Sequence, residues 1–280
     1  MQPAWSIFFA AVLVAAEPVG TVGRFEQVDV KAKTARFIPL EGKPAAVMLH
    51  PGDAEIGWSK PVRCALVARD GKLFAEGVAS AEPEELRQER QVVDDLRRDT
   101  FERGQIVMRG ANELMPMMAL WDQDGRFRIK KDFLGSPLAV NFIFTSCHNA
   151  RMCPASTQAM RQLGDELAKR PALANVRLLT ITFDPETDTP GVLRSYAEGY
   201  GIDFRRHTFL TGRESHTKDL MRHYGIQTLR DDGTIVHNAA LIVISPEGRI
   251  AYRSEGASFD AEDIAGRLLK LSGTAGTKAR

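Results

Sequence analysis

Residues 141–156 read NFIFTSCHNARMCPAS and hold two of the chain's three cysteines, Cys147 and Cys153, with five residues between them. The run before them, LAVNFIFTS (138–146), is apolar almost throughout, the pattern of a strand covered on both faces. The run after them, CPASTQAMRQLGDELAKR (153–170), puts Met160, Leu163 and Leu167 on one helical face and charges opposite. Pro154 suits the first turn of that helix. A thiol at a strand-to-helix junction meets unpaired backbone amides and the helix dipole, which favour the thiolate. The spacing is too wide for a C-x-x-C redox motif, and no second pair completes a four-thiolate zinc site. The two sulfurs can close a disulfide or share one metal ion.

Downstream of this junction strands and helices alternate. VRLLTITF (176–183) is another buried strand, TPGVLRSYAEGYG (189–201) a helix, HTFLTG (207–212) a short strand and ESHTKDLMRHYG (214–225) a helix. AALIVISPEGRIAYR (239–253) is a hairpin, and DAEDIAGRLLKLSG (260–273) a closing helix. Upstream, MMALWDQDGRFRI (117–129) is a hairpin turning at Asp124-Gly125. The order predicts an α/β fold with a thioredoxin-like C-terminal domain over residues 104–272, followed by a disordered tail, 273–280.

Residues 17–81 carry five short β-rich runs, GRFEQVDV, TARFIPL, AAVMLH, VRCALVA and KLFAEGVA, broken by Gly, Pro and Asp. They predict a small all-β module, a barrel or sandwich. Residues 82–103 are densely charged, with Leu86, Val93 and Leu96 as a thin apolar stripe, and read as a solvated helical connector. The apolar run Ala4–Ala16 is short for a bilayer span. It ends in small residues, so residues 1–16 read as an export signal. That places the chain in the periplasm or otherwise outside the cytosol, anchored at a membrane if the segment stays uncleaved. There a close cysteine pair tends to oxidise, so a working dithiol needs a thiol reductase partner. Cys64, on a strand-like run, reads as a small buried hydrophobe.

The formal net charge of +1 removes the electrostatic case for a nucleic-acid partner. A two-thiolate metal site needs a third ligand, and the histidines are His50, His148, His207, His216, His223 and His237. His148 neighbours Cys147, but a neighbour in an extended segment points elsewhere. His216 and His223 fall in a polar helical stretch and read as solvated, and His207 opens a strand. His237, in DDGTIVHNAALIVIS, stands in a loop entering a buried strand that lies beside the first helix in this fold. Two thiolates and one imidazole suit Cu(I) and can hold Cu(II). Zinc would want a fourth ligand, and no carboxylate is evident.

The motifs NFIFTSC with CP following, LLTITFDPETDTP, YGIDFRRHTFLTG and VHNAALIVISPEGRI resemble the Sco/SenC family of copper-binding, thioredoxin-fold assembly factors over residues 104–272. The resemblance implies that Cys147, Cys153 and His237 are copper ligands. It also implies that Asp184-Pro185 and Asp188-Thr189-Pro190 form the flanking loop. The implied task is copper delivery to the binuclear centre of a cytochrome oxidase, or reduction of that centre's cysteines, with a copper-receiving oxidase subunit as partner. The chain departs from the commonest family pattern, which has three residues between the cysteines and a proline where His148 stands.

Rival readings are a periplasmic thiol–disulfide oxidoreductase in which Cys147 and Cys153 form the catalytic redox pair, a peroxiredoxin-like peroxidase using Thr145 and Cys147, and a copper-buffering or redox-sensing module. Met115, Met117 and Met118 read as core before copper. Met48, His50 and Trp58 carry a faint resemblance to small CusF-like barrels that bind Cu(I). The acids of the DP and DTP segments read as turn and cap residues.

Overall fold

The computed structural model describes residues 20–231 and 234–274. The proposed signal and the tail from residue 275 lie outside the described residues. The chain opens with β1 (Thr21–Asp29), β2 (Thr34–Pro39) and β3 (Ala45–Leu49). A short helix, α1 (Pro51–Ile56), leads to β4 (Val62–Arg69) and β5 (Lys72–Ser80). These strands close a barrel in the order β1-β2-β3-β5-β4, with β3 and β5 parallel. It is a five-stranded barrel of the OB kind. Alternation explains it: Phe25, Phe37, Val47, Leu49, Val62 and Val78 point inward and are buried. Cys64 is 1% exposed, and burial pushes its thiol up to about 12. It is the expected small core residue.

The charged segment forms α2 (Pro83–Glu102), but it is no solvated spacer. Leu96 is buried in the main core of the following domain. Glu89, 1% exposed, receives the Arg213 guanidinium at 2.9 Å. Glu85 accepts from Lys60 and Ser80 of the barrel side and from the Trp121 indole. Burial pushes the Glu85 carboxyl up, yet those three donors outweigh it and hold the group below its ordinary range. The apolar stripe looked thin because long polar side chains do part of the docking through paired charges.

The second domain comprises β6 (Ala119–Asp122), β7 (Phe127–Ile129), β8 (Leu138–Ile143), α3 (Cys153–Ala168), β9 (Arg177–Thr182), α4 (Pro190–Gly199) and β10 (His207–Thr211). It continues with α5 (Glu214–His223), β11 (Thr228–Asp231), β12 (Thr234–His237), β13 (Ala240–Ile244), β14 (Ile250–Glu255) and α6 (Ala261–Thr274). The seven-stranded sheet runs β14-β13-β8-β9-β10-β6-β7, with β8, β9 and β10 parallel. One face carries α3 and α6 over Leu163, Leu178, Val243 and Leu268. The other carries Leu96, Leu193 and Leu220 against Val140, Phe142 and Leu210. This is the thioredoxin-like sandwich. Helix α6 runs through Thr274, two residues into the stretch expected to be tail.

Barrel and sandwich meet through backbone. A Cβ on Gly52 of α1 would stand 1.9 Å from the Gly191 carbonyl oxygen of α4, and one on Gly125 would stand 2.7 Å from the Trp58 ring. Only glycine permits so close a crossing. Trp58 is 2% exposed and its Nε1–H donates to Asp53 Oδ1 at 3.0 Å. His50 Nδ1 accepts the Gly52 N–H that opens α1. Trp58 is therefore part of the contact between the two halves, not an open cap over a barrel copper site.

Candidate metal centre

The carboxyl ends of β8, β9 and β10 share one edge of the sheet, and β13 starts at that edge because it runs antiparallel to β8. Open α/β sheets place their sites there, where loops leave the strands. Three connections meet at it: residues 144–152, residues 183–189 and the residues entering β13.

The first connection explains how five intervening residues still bring two sulfurs together. Asn149 folds the segment on itself, its carbonyl accepting from Met152 N–H at 2.9 Å and its Oδ1 from Arg151 N–H at 3.0 Å. This local side-chain turn is what asparagine does best. Cys147 is half-buried, its Sγ 3.8 Å from the Asn149 carbonyl. Cys153 opens α3 and is 1% exposed. Phe144 N–H points at its sulfur from 3.4 Å. Burial pushes the Cys153 thiol far above its usual range, and only part of this is offset by the Phe144 N–H. The helix terminus therefore does not make a free thiolate here, contrary to the expectation from position alone. The sulfur keeps its proton until a cation replaces it.

His237 ends β12 of the small hairpin β11–β12, in which Thr228 pairs with His237 and Leu229 with Val236. It is not in a plain loop. Its Nδ1 lies 2.7 Å from the Asn238 carbonyl. A carbonyl only accepts, so Nδ1 carries the proton and the Nε2 lone pair is free. Nε2 stands 3.4 Å from Cys153 Sγ. Phe183 and Phe144 flank the ring at centroid distances of 4.6 and 5.8 Å. Burial lowers the pKa of His237, so it stays neutral and able to ligate.

The ligand atoms of Cys147, Cys153 and His237 all lie within 4.8 Å of one another, and among the described residues no other cluster of three such side chains has this geometry. With bonds of about 2.3 Å to sulfur and 2.0 Å to nitrogen, the donors of a trigonal ion stand roughly 4 Å apart. A metal ion fits after shifts of less than about 1 Å in these separations. All three cysteines are free thiols.

The acids nearby are not a fourth ligand. Asp188 is fully buried; its Oδ1 accepts the Thr145 hydroxyl, and its Oδ2 accepts Thr145 N–H at 3.1 Å and the Thr182 hydroxyl at 2.5 Å. Burial raises its pKa to about 6 against those hydrogen bonds. It clasps the start of the cysteine loop to the end of β9, beyond the turn role expected of it. Thr189 does cap α4, accepting from Val192 N–H. The Thr145 hydroxyl is committed to Asp188, not to the Cys147 sulfur that a peroxidase reading needs.

The remaining histidines of this domain divide between surface and core. His148 is exposed. His207 is buried, held by Thr180 at 2.7 Å, with its pKa lowered by burial to about 3. His216 and His223, expected in solvent, are fully buried. His216 Nε2 accepts Ala119 N–H at 3.2 Å. His223 takes the Arg109 Nε–H on Nδ1 at 3.0 Å and meets Thr100 on Nε2 at 2.9 Å, joining α5 to α2. Of the expected methionines, Met115 and Met118 are core, and Met117 is 38% exposed.

Residues 107–272 match the family described as SCO1/SenC. The chain belongs to the SCO1/SenC family. It is 23% identical over 154 residues to the SCO1 protein homolog of Bacillus subtilis, covering 52% of this chain and 76% of that protein. It is 32% identical over 137 residues to the mitochondrial SCO2 homolog of Bos taurus, covering 46% of this chain and 49% of that protein. The chain spans about half the length of the mitochondrial relatives it matches. The crystal structure of Arabidopsis thaliana ScoI with copper bound shares the fold at a TM-score of 0.51 and 20% identity, covering 58% of this chain and 99% of that one. The OB-like barrel lies before the SCO1/SenC match.

Proposed function

We propose that this SCO1/SenC protein is an exported metallochaperone. It holds one copper ion on Cys147, Cys153 and His237 and passes it to the binuclear copper centre of a cytochrome oxidase subunit. The observation that carries the reading is the convergence of two sulfurs and one Nε2 lone pair within 4.8 Å. Two soft anionic donors and an imidazole favour Cu(I) and accept Cu(II), and among the described residues no carboxylate joins the three to complete a zinc tetrahedron. Cys147 is half-buried while Cys153 is buried, so an acceptor's thiols reach the metal from the Cys147 side. The test mixes copper-loaded protein with the reduced, copper-free soluble domain of an oxidase subunit and measures copper on each after separation. Transfer to the subunit is expected; retention at equal concentrations contradicts delivery.

A second reading rests on the same asymmetry. An accessible Cys147 and a buried Cys153 are the arrangement of an attacking thiol and a resolving one. In that reading the pair reduces the client's disulfide and is reset by a thiol reductase. Copper-free protein that reduces the oxidised subunit domain, forming a Cys147–Cys153 disulfide, would favour it.

A further inference from the structure

Building on the copper reading above, we infer that Asn238 is the positioning residue that aims His237 at the metal. The side chain of Asn238 is a two-pronged staple. Its Oδ1 accepts Gln227 N–H at 2.7 Å, and its Nδ2 donates to the Gly225 carbonyl at 3.0 Å. Both partners lie in the turn between α5 and β11, on the opposite leg of the hairpin. Asn238 N–H also reaches the Gln227 carbonyl at 3.4 Å. The staple thus ties together the two legs at the base of the β11–β12 hairpin.

That base sets the ligand. The Asn238 carbonyl accepts the His237 Nδ1–H at 2.7 Å, which fixes the ring tautomer and leaves Nε2 facing Cys153 Sγ at 3.4 Å. Val236 and Leu229, its paired apolar residues, are 54% and 66% exposed, and Ile235 is the buried member. A hairpin alone is marginal in water. The Asn238 side chain supplies a fixed support that the hairpin's own packing does not. Its three polar contacts hold the carbonyl that holds the ring. Such outer hydrogen bonds to a ligating histidine are worth about 10- to 100-fold in metal affinity.

The experiment uses the full chain and Asn238→Ala, with Asn238→Asp as the conservative variant that keeps an acceptor for Gln227 N–H and loses the donor to Gly225. The first readout needs no metal: long-range ¹H–¹⁵N spectra of the reduced, copper-free protein assign the His237 tautomer above the imidazole titration. Wild type is expected as the Nδ1–H form, Asn238→Ala as a mixture, and Asn238→Asp in between. Anaerobic Cu(I) competition is the second readout, with affinity falling about 10- to 100-fold in Asn238→Ala and less in Asn238→Asp. Equal unfolding midpoints in all three proteins show that the effect is on the ring and not on the fold. A folded Asn238→Ala with the wild-type tautomer and wild-type copper affinity overturns the inference. Should wild type fail to bind copper while the tautomer still shifts in Asn238→Ala, the positioning role stands and the copper reading falls.

Discussion

The contact between barrel and sandwich and the metal centre are opposite kinds of construction. At the contact, Gly52 and Gly191 cross backbone on backbone, Trp58 lies on Gly125, and Asp53 is buried with one indole donor. At the centre, Cys147 and Cys153 share one connection, His237 ends β12, and two of the three ligands are half-buried. The contact has no room to adjust, whereas the centre must close by a fraction of an ångström on a metal and open again. This chain confines its adaptability to one edge of the sheet and fixes the rest.

The largest expected effect is at the centre. Cys153→Ser or Cys147→Ser should abolish tight copper binding, with an affinity loss beyond about 1000-fold, because each removes one of only two soft anions, and in Cys147→Ser, at a half-buried position, the unfolding midpoint should barely move. His148→Ala, in an exposed residue of the same loop, should leave both unchanged. Competition against a Cu(I) chelator measures the first, and circular dichroism the second. A large fall in stability would mean that the centre is as rigid as the contact.

Next comes the junction. A fragment starting at residue 83 keeps Leu96 in the core and the Glu89–Arg213 and Thr100–His223 pairs. One starting at residue 104 loses all of them, uncovering the core face that Leu96 packs on and breaking the Glu89–Arg213 pair. The shorter fragment should be at least about 3 kcal/mol less stable than the longer one, read by urea unfolding. Equal stability would return α2 to the status of spacer.

Third is the crossing itself. Gly52→Val puts a side chain into the Gly191 backbone. It should cost about 1–3 kcal/mol or part the two halves, as overpacking does, without changing copper affinity.

What the sequence discloses follows from how local each signal is. The five barrel strands were readable because alternation is set residue by residue. The cysteine junction was readable because an apolar strand, a loop and Pro154 follow one another directly. The hairpin bearing His237 was missed although TLRDDGTIVH carries the D-G dipeptide between β-formers, since its exposed Leu229 and Val236 give no burial pattern to find. His216 and His223 looked solvated because their partners, Ala119, Arg109 and Thr100, are over 90 residues away. The docking of α2 was hidden for the same reason: a buried Glu89 looks like any other charge until Arg213 is seen beside it.

The contact should also carry a pH dependence. Burial raises the Asp53 pKa from 3.8 to about 7. The folded state therefore binds a proton that the unfolded chain releases, so this group's stabilising share is complete below about 4 and is lost as pH rises through 7. Asp53→Asn, which can still accept from Trp58, should flatten that slope and be more stable than wild type at pH 8. Unfolding midpoints at pH 5 and pH 8 decide it, and parallel slopes in the two proteins would remove Asp53 from the account.

The most direct test of the centre is X-ray absorption spectroscopy on the reduced full-length protein loaded with one equivalent of Cu(I), beside Cys147→Ser and His237→Ala. Expected are two sulfur scatterers and one nitrogen in wild type, one sulfur fewer in the first variant, and loss of the imidazole signature in the second. A wild-type spectrum unchanged by either substitution would contradict it and move the metal away from Cys147, Cys153 and His237.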